Sequence, residues 1–229
     1  MRLTGRLEKA AELLSPFSRI ADIGCDHGKL SAALAARPET VRVIAADISP
    51  ESLQKARELA ERRGLTDKIE CRQGNGLTVL SQGECEAAAI LGMGGEVIAS
   101  ILGDAAAVAE GLSCLVLQPM SGVEELRQYL YTHAYAYLAD CVIQEGGRLY
   151  QLFSVKKAAA QEPWPADFPA GCFSVGYRAF TDRDPLLPPL CRRLLHVREK
   201  QLPVAAGSPG EVKLAAECAM LQQIITKTE

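Results

Sequence analysis

Apolar and polar positions along the chain follow two rhythms, and the switches between them mark out the elements. Leu3, Leu7, Ala10, Ala11 and Leu14 recur at three- and four-residue spacing, which predicts an opening amphipathic helix that Pro16 stops. The apolar run RIADIG (19–24) reads as a short buried strand, followed by helix formers over 28–36. VRVIAAD (41–47) is a second strand. SPESLQKARELAERRG carries its own punctuation, with Ser49 as N-cap, Pro50 at the first helical position and Gly64 just past the end. KIECRQG (68–74) and EAAAIL (86–91) read as strands three and four. A helix over 95–102, the strand LSCLVLQP (112–119) and a helix over 123–133 follow. Strands that are apolar throughout, alternating with helices, predict a parallel sheet covered on both faces.

The rhythm then changes. LADCVIQE and RLYQLFSVKK flank Gly146-Gly147, which predicts a β-hairpin. Residues 158–171, AAAQEPWPADFPAG, hold three prolines and little periodicity, and read as a linker or surface wrap. PLLPPLCRRLLHVREKQL (185–202) and PGEVKLAAECAMLQQIITK (209–227) are helical segments separated by PVAAGS, an αα-hairpin.

Length and composition fit this picture. The 229 residues suffice for one α/β core with a small appendage. Hydrophobic residues at 48% and charged ones at 23% are ordinary for a soluble globular chain. The formal net charge of -3 means that a nucleic-acid partner needs a local basic surface. No apolar stretch approaches the roughly 20 residues of a membrane span. The opening MRLTGRLEKAAELL is charged throughout, unlike a signal peptide, so a cytoplasmic location is expected. The eight cysteines form no C-x-x-C pair and several lie in apolar runs such as LSCLVL. They read as small buried hydrophobes in a reducing compartment, with no metal site.

Candidate chemistry concentrates where strands end. ADIGCDHGKL sets Cys25, Asp26 and His27 between Gly24, at the exit of the first strand, and Gly28, near the start of a helix. Backbone N–H groups at a helix start hold anions, and glycine lets a ligand come close. Cys25 reads as a packed turn residue, Asp26 as helix cap or cofactor contact, and His27 as cap or chemical participant. Nineteen residues past Gly28, Asp47 ends the second strand, where a carboxylate can accept from both hydroxyls of a ribose. QGNGL (73–77), LGMGGEVI (91–98) and LQPM (117–120) follow strands three, four and five. Turns of this kind on one sheet edge make a ligand site there.

The order of elements, a Rossmann-like sheet closed by an antiparallel hairpin strand, resembles the class I methyltransferases. ADIGCDHGKL, RQGNGL, AAAILGMGGEVIASIL, LVLQPM and LRQYLYTHAYAYLADCVIQEGGRLYQL, in that order, resemble the bacterial tRNA (adenine(22)-N(1))-methyltransferase family over most of residues 1–155. The resemblance implies an α/β Rossmann-like methyltransferase domain over 1–157 that binds S-adenosylmethionine, a linker over 158–171, and a helical, coiled-coil-like domain over 172–229. It places Asp22, Gly24, Asp26 and His27 around the methionine part of the cofactor, with Cys25 in the same turn. Asp47 and the adjoining Ile48 fall by the ribose, and Gly74, Asn75, Gly76 and Leu77 by the adenine ring. Gly92, Met93, Gly94 and Gly95 fall near the sulfonium and the entering base. Asn75, His27 and Gln118 are the candidate catalytic residues. Two positions depart from the family pattern: Asn75 stands where GDGL has aspartate, and Met120 where LQPN has asparagine.

Adenine N1 carries a lone pair in its neutral form, so methylation there needs alignment more than a general base. A carboxylate would only favour the charge that develops on the ring. RNA must present the base unstacked, because N1 lies on the Watson–Crick edge. Arg192, Arg193, Arg198 and Lys200, against the single acid Glu199 in residues 186–202, form the candidate tRNA-binding cluster. Tyr129, Tyr131, Tyr135 and Tyr137 read as packing residues. The expected activity is thus S-adenosylmethionine-dependent methylation of adenine N1 in tRNA, with the oligomeric state open. The alternatives are a related methyltransferase acting on another base and a non-catalytic tRNA-binding module. A nicotinamide-dependent dehydrogenase is disfavoured by the missing G-x-G-x-x-G and by the terminal hairpin.

Overall fold

Side chains alternate across each strand, so a strand that is apolar throughout must be buried on both faces. The computed structural model describes residues 3–228; residues 1, 2 and 229, at the outer bounds of the expected domains, lie outside the described residues. Five strands run parallel: β1 (Arg19–Ile23), β2 (Arg42–Asp47), β3 (Ile69–Gln73), β4 (Ala87–Gly94) and β5 (Cys114–Ser121). β6 (Tyr135–Glu145) and β7 (Arg148–Lys157) complete a seven-stranded sheet of order β3-β2-β1-β4-β5-β7-β6. The Gly146-Gly147 turn makes β6 and β7 an antiparallel hairpin, and β7 inserts between β5 and β6, antiparallel to both.

The helices are α1 (Gly5–Leu13), α2 (Lys29–Ala35), α3 (Pro50–Arg63), α4 (Gly95–Asp104), α5 (Ala106–Gly111), α6 (Val123–Thr132), α7 (Tyr177–Thr181), α8 (Leu187–Ala205) and α9 (Pro209–Thr228). α3 starts and stops on the signals read from its sequence. The Ser49 side chain accepts from the Ser52 N–H at 3.2 Å, and Gly64 ends the helix in the left-handed conformation.

Strand alternation divides the core. Ala21, Ile23, Ile44, Ile90, Leu117 and Phe153 pack with Ile98 and Leu102 of α4 and Leu126 and Leu130 of α6. Ile20, Val43, Ala87, Ala89, Val116 and Leu152 pack on the other face, with α1 and α2. Burying each large aliphatic or aromatic side chain contributes about 1.5–3 kcal/mol. A third cluster joins Val142 of β6 to Leu187, Leu190, Leu221 and Ile224 of α8 and α9, with Phe168 of the proline-rich segment among them. Between these clusters lies a buried polar knot. Arg127 of α6 pairs with both oxygens of Asp140 at 2.7 and 2.9 Å and donates to Gln151 at 2.8 Å, and Gln151 donates to the Ser174 carbonyl.

Several boundaries differ from the sequence reading. β4 runs on through a bulge to Gly94, so the Gly92–Gly94 stretch belongs to the strand end. α8 continues through Pro203 to Ala205, although the proline ring removes one helical donor from its last turn. The 3-10 turn over Gly76–Val79, α5 and α7 are too short to show a period. All eight cysteines are free thiols, six of them buried and Cys71 and Cys141 half-buried. Among the described residues, no helix is long and apolar enough to cross a membrane.

Candidate active site

The turn after β1 is fixed by the backbone of its neighbour. The N–H groups of Gly24 and Cys25 both donate to the Ala46 carbonyl, at 2.8 and 3.0 Å. Gly24 and Gly28 take φ of 72° and 68°, and even Asp26 is left-handed at 48°. A Cβ on Gly28 would stand 2.8 Å from the Ala56 Cβ, so only glycine lets the turn rest on α3. The Asp47 carboxylate ties the turn to the start of α3, accepting from the Asp26 N–H at 3.1 Å and the Ser49 N–H at 2.9 Å. His27 Nδ1 lies 2.7 Å from an Asp26 oxygen, and both side chains face the solvent.

Beneath this turn, Asp22 is buried, and one of its oxygens accepts from both the N–H (3.0 Å) and the hydroxyl (2.5 Å) of Ser31 in α2. Burial pushes its carboxyl up to about 6, against the pull of those two hydrogen bonds. Burial also pushes the Cys25 thiol far above its ordinary range. It stays protonated and is no nucleophile at neutral pH.

The turns meet around one cavity of about 640 Å³ at the carboxyl ends of the strands. Its wall includes Asp22, Gly24, Cys25, Asp26, His27, Asp47, Ile48, Gly74, Asn75, Gly76, Gly92, Met93 and Gln118. Leu77, Gly94 and Gly95 are not in that wall. Leu77 is fully buried in the core. A Cβ on Gly95 would stand 1.8 Å from the Gly122 carbonyl oxygen, so this glycine lets the starts of α4 and α6 touch. Gly92 is different: it has φ of 77° and nothing within 4 Å of where a Cβ would stand.

The cavity also takes residues that the sequence did not single out: Arg6 and Leu7 of α1, Lys29, Val97, Ile101 and Glu145. Arg6 and Glu145 pair at 3.0 Å across 139 positions of sequence, and no local pattern announces such a contact. The four basic candidates of α8 lie outside the cavity wall. Arg192, Arg193 and Lys200 are exposed, whereas Arg198 is half-buried and pairs with Glu124 and with Glu217. Tyr135 and Tyr137 are buried, Tyr129 stacks on His133 and Tyr131 packs on Trp164. Among the described residues, no group of three His, Cys, Asp or Glu side chains is placed to hold a metal ion.

A small-molecule cleft of this size, with hydrogen-bonding carboxylate and amide groups and close-approach glycines, suits a nucleoside more than covalent catalysis. Comparison with known proteins agrees. Residues 3–153 match the family described as a methyltransferase domain. The chain is 34% identical over 152 residues to the tRNA (adenine(22)-N(1))-methyltransferase of Bacillus subtilis, covering 66% of this chain and 64% of that protein. The match therefore spans less than two thirds of the curated relative. In three dimensions the chain is similar to the crystal structure of the B. subtilis m1A22 tRNA methyltransferase TrmK, with a TM-score of 0.87 and 26% identity over 98% of this chain and 99% of that one. It is also similar to Streptococcus pneumoniae Sp1610, solved in complex with S-adenosyl-L-methionine, with a TM-score of 0.79 and 26% identity over 96% and 98% of the two chains.

Proposed function

Because this chain belongs to the methyltransferase-domain family, we propose that it is a tRNA (adenine(22)-N(1))-methyltransferase, which methylates N1 of adenine 22 in tRNA using S-adenosylmethionine. The observation that carries this reading is the single cavity in which the Asp47 carboxylate stands beside the turns after β1, β3 and β4. The residues present fit the cofactor. Asp47, oriented by two backbone N–H groups, presents carboxylate oxygens to ribose hydroxyls, and Gly92 leaves open the space a side chain would take. When bound, S-adenosylmethionine supplies a methyl group on an electrophilic sulfonium.

What the chain contributes is placement. Met93 and Val97 give the cavity an apolar stretch of wall. Gln118 and Asn75 provide neutral hydrogen-bonding groups for a base edge. No residue needs to remove a proton, since adenine N1 attacks through a lone pair it already has; a protonated Cys25 is therefore no obstacle. A tRNA substrate places the work in the cytoplasm, and Arg193 and Lys200 on α8 supply exposed positive charge for its phosphates.

The test is incubation of the full chain with methyl-labelled S-adenosylmethionine and unmodified tRNA, followed by mapping of the labelled nucleotide. Label on N1 of adenine 22 is the expected result. Label on another base refutes the site specificity, and tight tRNA binding without label marks a binding module instead.

A further inference from the structure

We propose that Arg6 is a positioning residue that fixes which hydrogen-bonding face Gln118 turns to the target base. The inference rests on the adenine reading above. Gln118 lines the cavity, yet only 1% of its surface is exposed. Its Oε1 accepts from Arg6 Nη1 at 2.9 Å, and its Nε2 donates to the Pro119 carbonyl at 2.7 Å. Rotating the amide by half a turn would set its NH₂ against the guanidinium and its oxygen against a carbonyl. Both hydrogen bonds would be lost and two like groups forced together.

Arg6 can do this because it is itself held on three further sides, its Nη1 also reaching the Met120 sulfur at 3.1 Å. Its Nε and its backbone N–H each donate to one Glu145 oxygen at 3.0 Å, and its guanidinium carbon lies 4.3 Å over the Tyr150 ring. The carboxylate reaches that backbone N–H only because Gly5 has no side chain: a Cβ there would stand 2.4 Å from the Glu145 oxygen. Glu145 thereby caps the start of α1, where Thr4 makes no side-chain cap. The Arg6 hydrogen bonds hold the Glu145 carboxyl below the usual carboxylate range. Groups from β6 and β7 thus hold the α1 arginine that, with the β5 carbonyl of Pro119, fixes the amide.

A pinned glutamine reads a base; a free one adapts to it. Adenine presents an amine donor at position 6 beside the N1 lone pair, and that lone pair must stay unbonded for the methyl group. A fixed amide oxygen accepts from the amine. Hypoxanthine, which has an oxygen at position 6 and a proton on N1, sets an acceptor against that oxygen. Arg6 therefore contributes to preference for adenine without touching it.

Two measurements test this on the full chain. In ¹⁵N-labelled protein, hydrogen exchange of the Gln118 side-chain amide should quicken at least tenfold in Arg6→Met and in Arg6→Lys, which keeps the charge facing Glu145. With tRNA and saturating S-adenosylmethionine, either variant should lower kcat about tenfold, the effect of losing one charge-assisted hydrogen bond. It should also narrow the adenine-to-inosine preference by a similar factor. Arg6→Met in combination with Gln118→Ala should be no slower than Gln118→Ala alone. Multiplying losses, an unchanged kcat at saturating cofactor, or unchanged amide exchange would each overturn the proposal. A wild-type chain that leaves tRNA unmethylated would refute the adenine reading, and the exchange measurement would still decide whether Arg6 pins Gln118.

Discussion

Asp22 should lower the stability of this fold at neutral pH, and Asp22→Asn should recover it. The ordinary aspartate value of 3.8 rises to about 6 in the folded chain because the group is buried. Two pKa units at about 1.4 kcal/mol each correspond to roughly 3 kcal/mol between the neutral and ionised forms. The sign follows from the direction. A carboxyl raised on folding favours the fold below its unfolded pKa, and that advantage is lost as pH climbs through about 6. Asparagine mimics the neutral acid well here, because both Ser31 donors go to the same Asp22 oxygen, which an amide oxygen can replace. The variant should therefore match the wild type near pH 4 and exceed it by roughly 2–3 kcal/mol near pH 7.5, or about 5–10 °C in Tm for a chain of this size. Guanidinium unfolding of both proteins across that range measures the difference directly. A gap that does not change with pH, or a wild type more stable at the alkaline end, would refute the argument. A carboxylate retained against such a penalty has a use, so the same variant should bind the cationic methyl donor more weakly.

Three further perturbations separate ligand contacts from packing. Asp47→Ala leaves the Asp26 and Ser49 N–H groups without their acceptor, and should weaken S-adenosylmethionine in calorimetry by roughly ten- to a hundredfold; unaltered affinity would put the ribose elsewhere. Gly95→Ala forces the starts of α4 and α6 apart and should destabilise by about 1–3 kcal/mol in denaturant melts, whereas Gly92→Ala, open to the cavity, should act more on cofactor affinity. Alanine at both Arg193 and Lys200 should lower tRNA affinity and reduce the slope of its salt dependence by up to about two, while Arg198→Ala, which takes the arginine from Glu124 and Glu217, should register in stability instead.

Much of the sheet and part of the site are legible along the chain because their determinants are local. Ser49, Pro50 and Gly64 punctuate α3 within sixteen residues of sequence, and the apolar runs of β1, β2 and β4 need no partner to be recognised as doubly buried. Gly24, Gly28 and Asp47 signal a ligand turn through backbone conformation and strand position alone. The LGMGG stretch shows the limit. Its glycines look alike in sequence, but Gly92 opens on the cavity while Gly95 makes room for a carbonyl of another helix. Likewise Arg198 looks like its basic neighbours until Glu124 and Glu217 are brought beside it.

Local signals along the chain set the order of the strands and the longer helices, the turn that follows the first strand and the acid that ends the second, because propensity, periodicity and capping act over a few residues. Only the tertiary structure decided that β7 enters between β5 and β6, that Asp22 is buried deeply enough to resist ionisation, and that Arg6 meets Gln118 and Glu145 in one wall. Those outcomes depend on contacts between residues far apart along the chain, or on how much water the packed chain excludes, and neither is written in any short stretch of sequence.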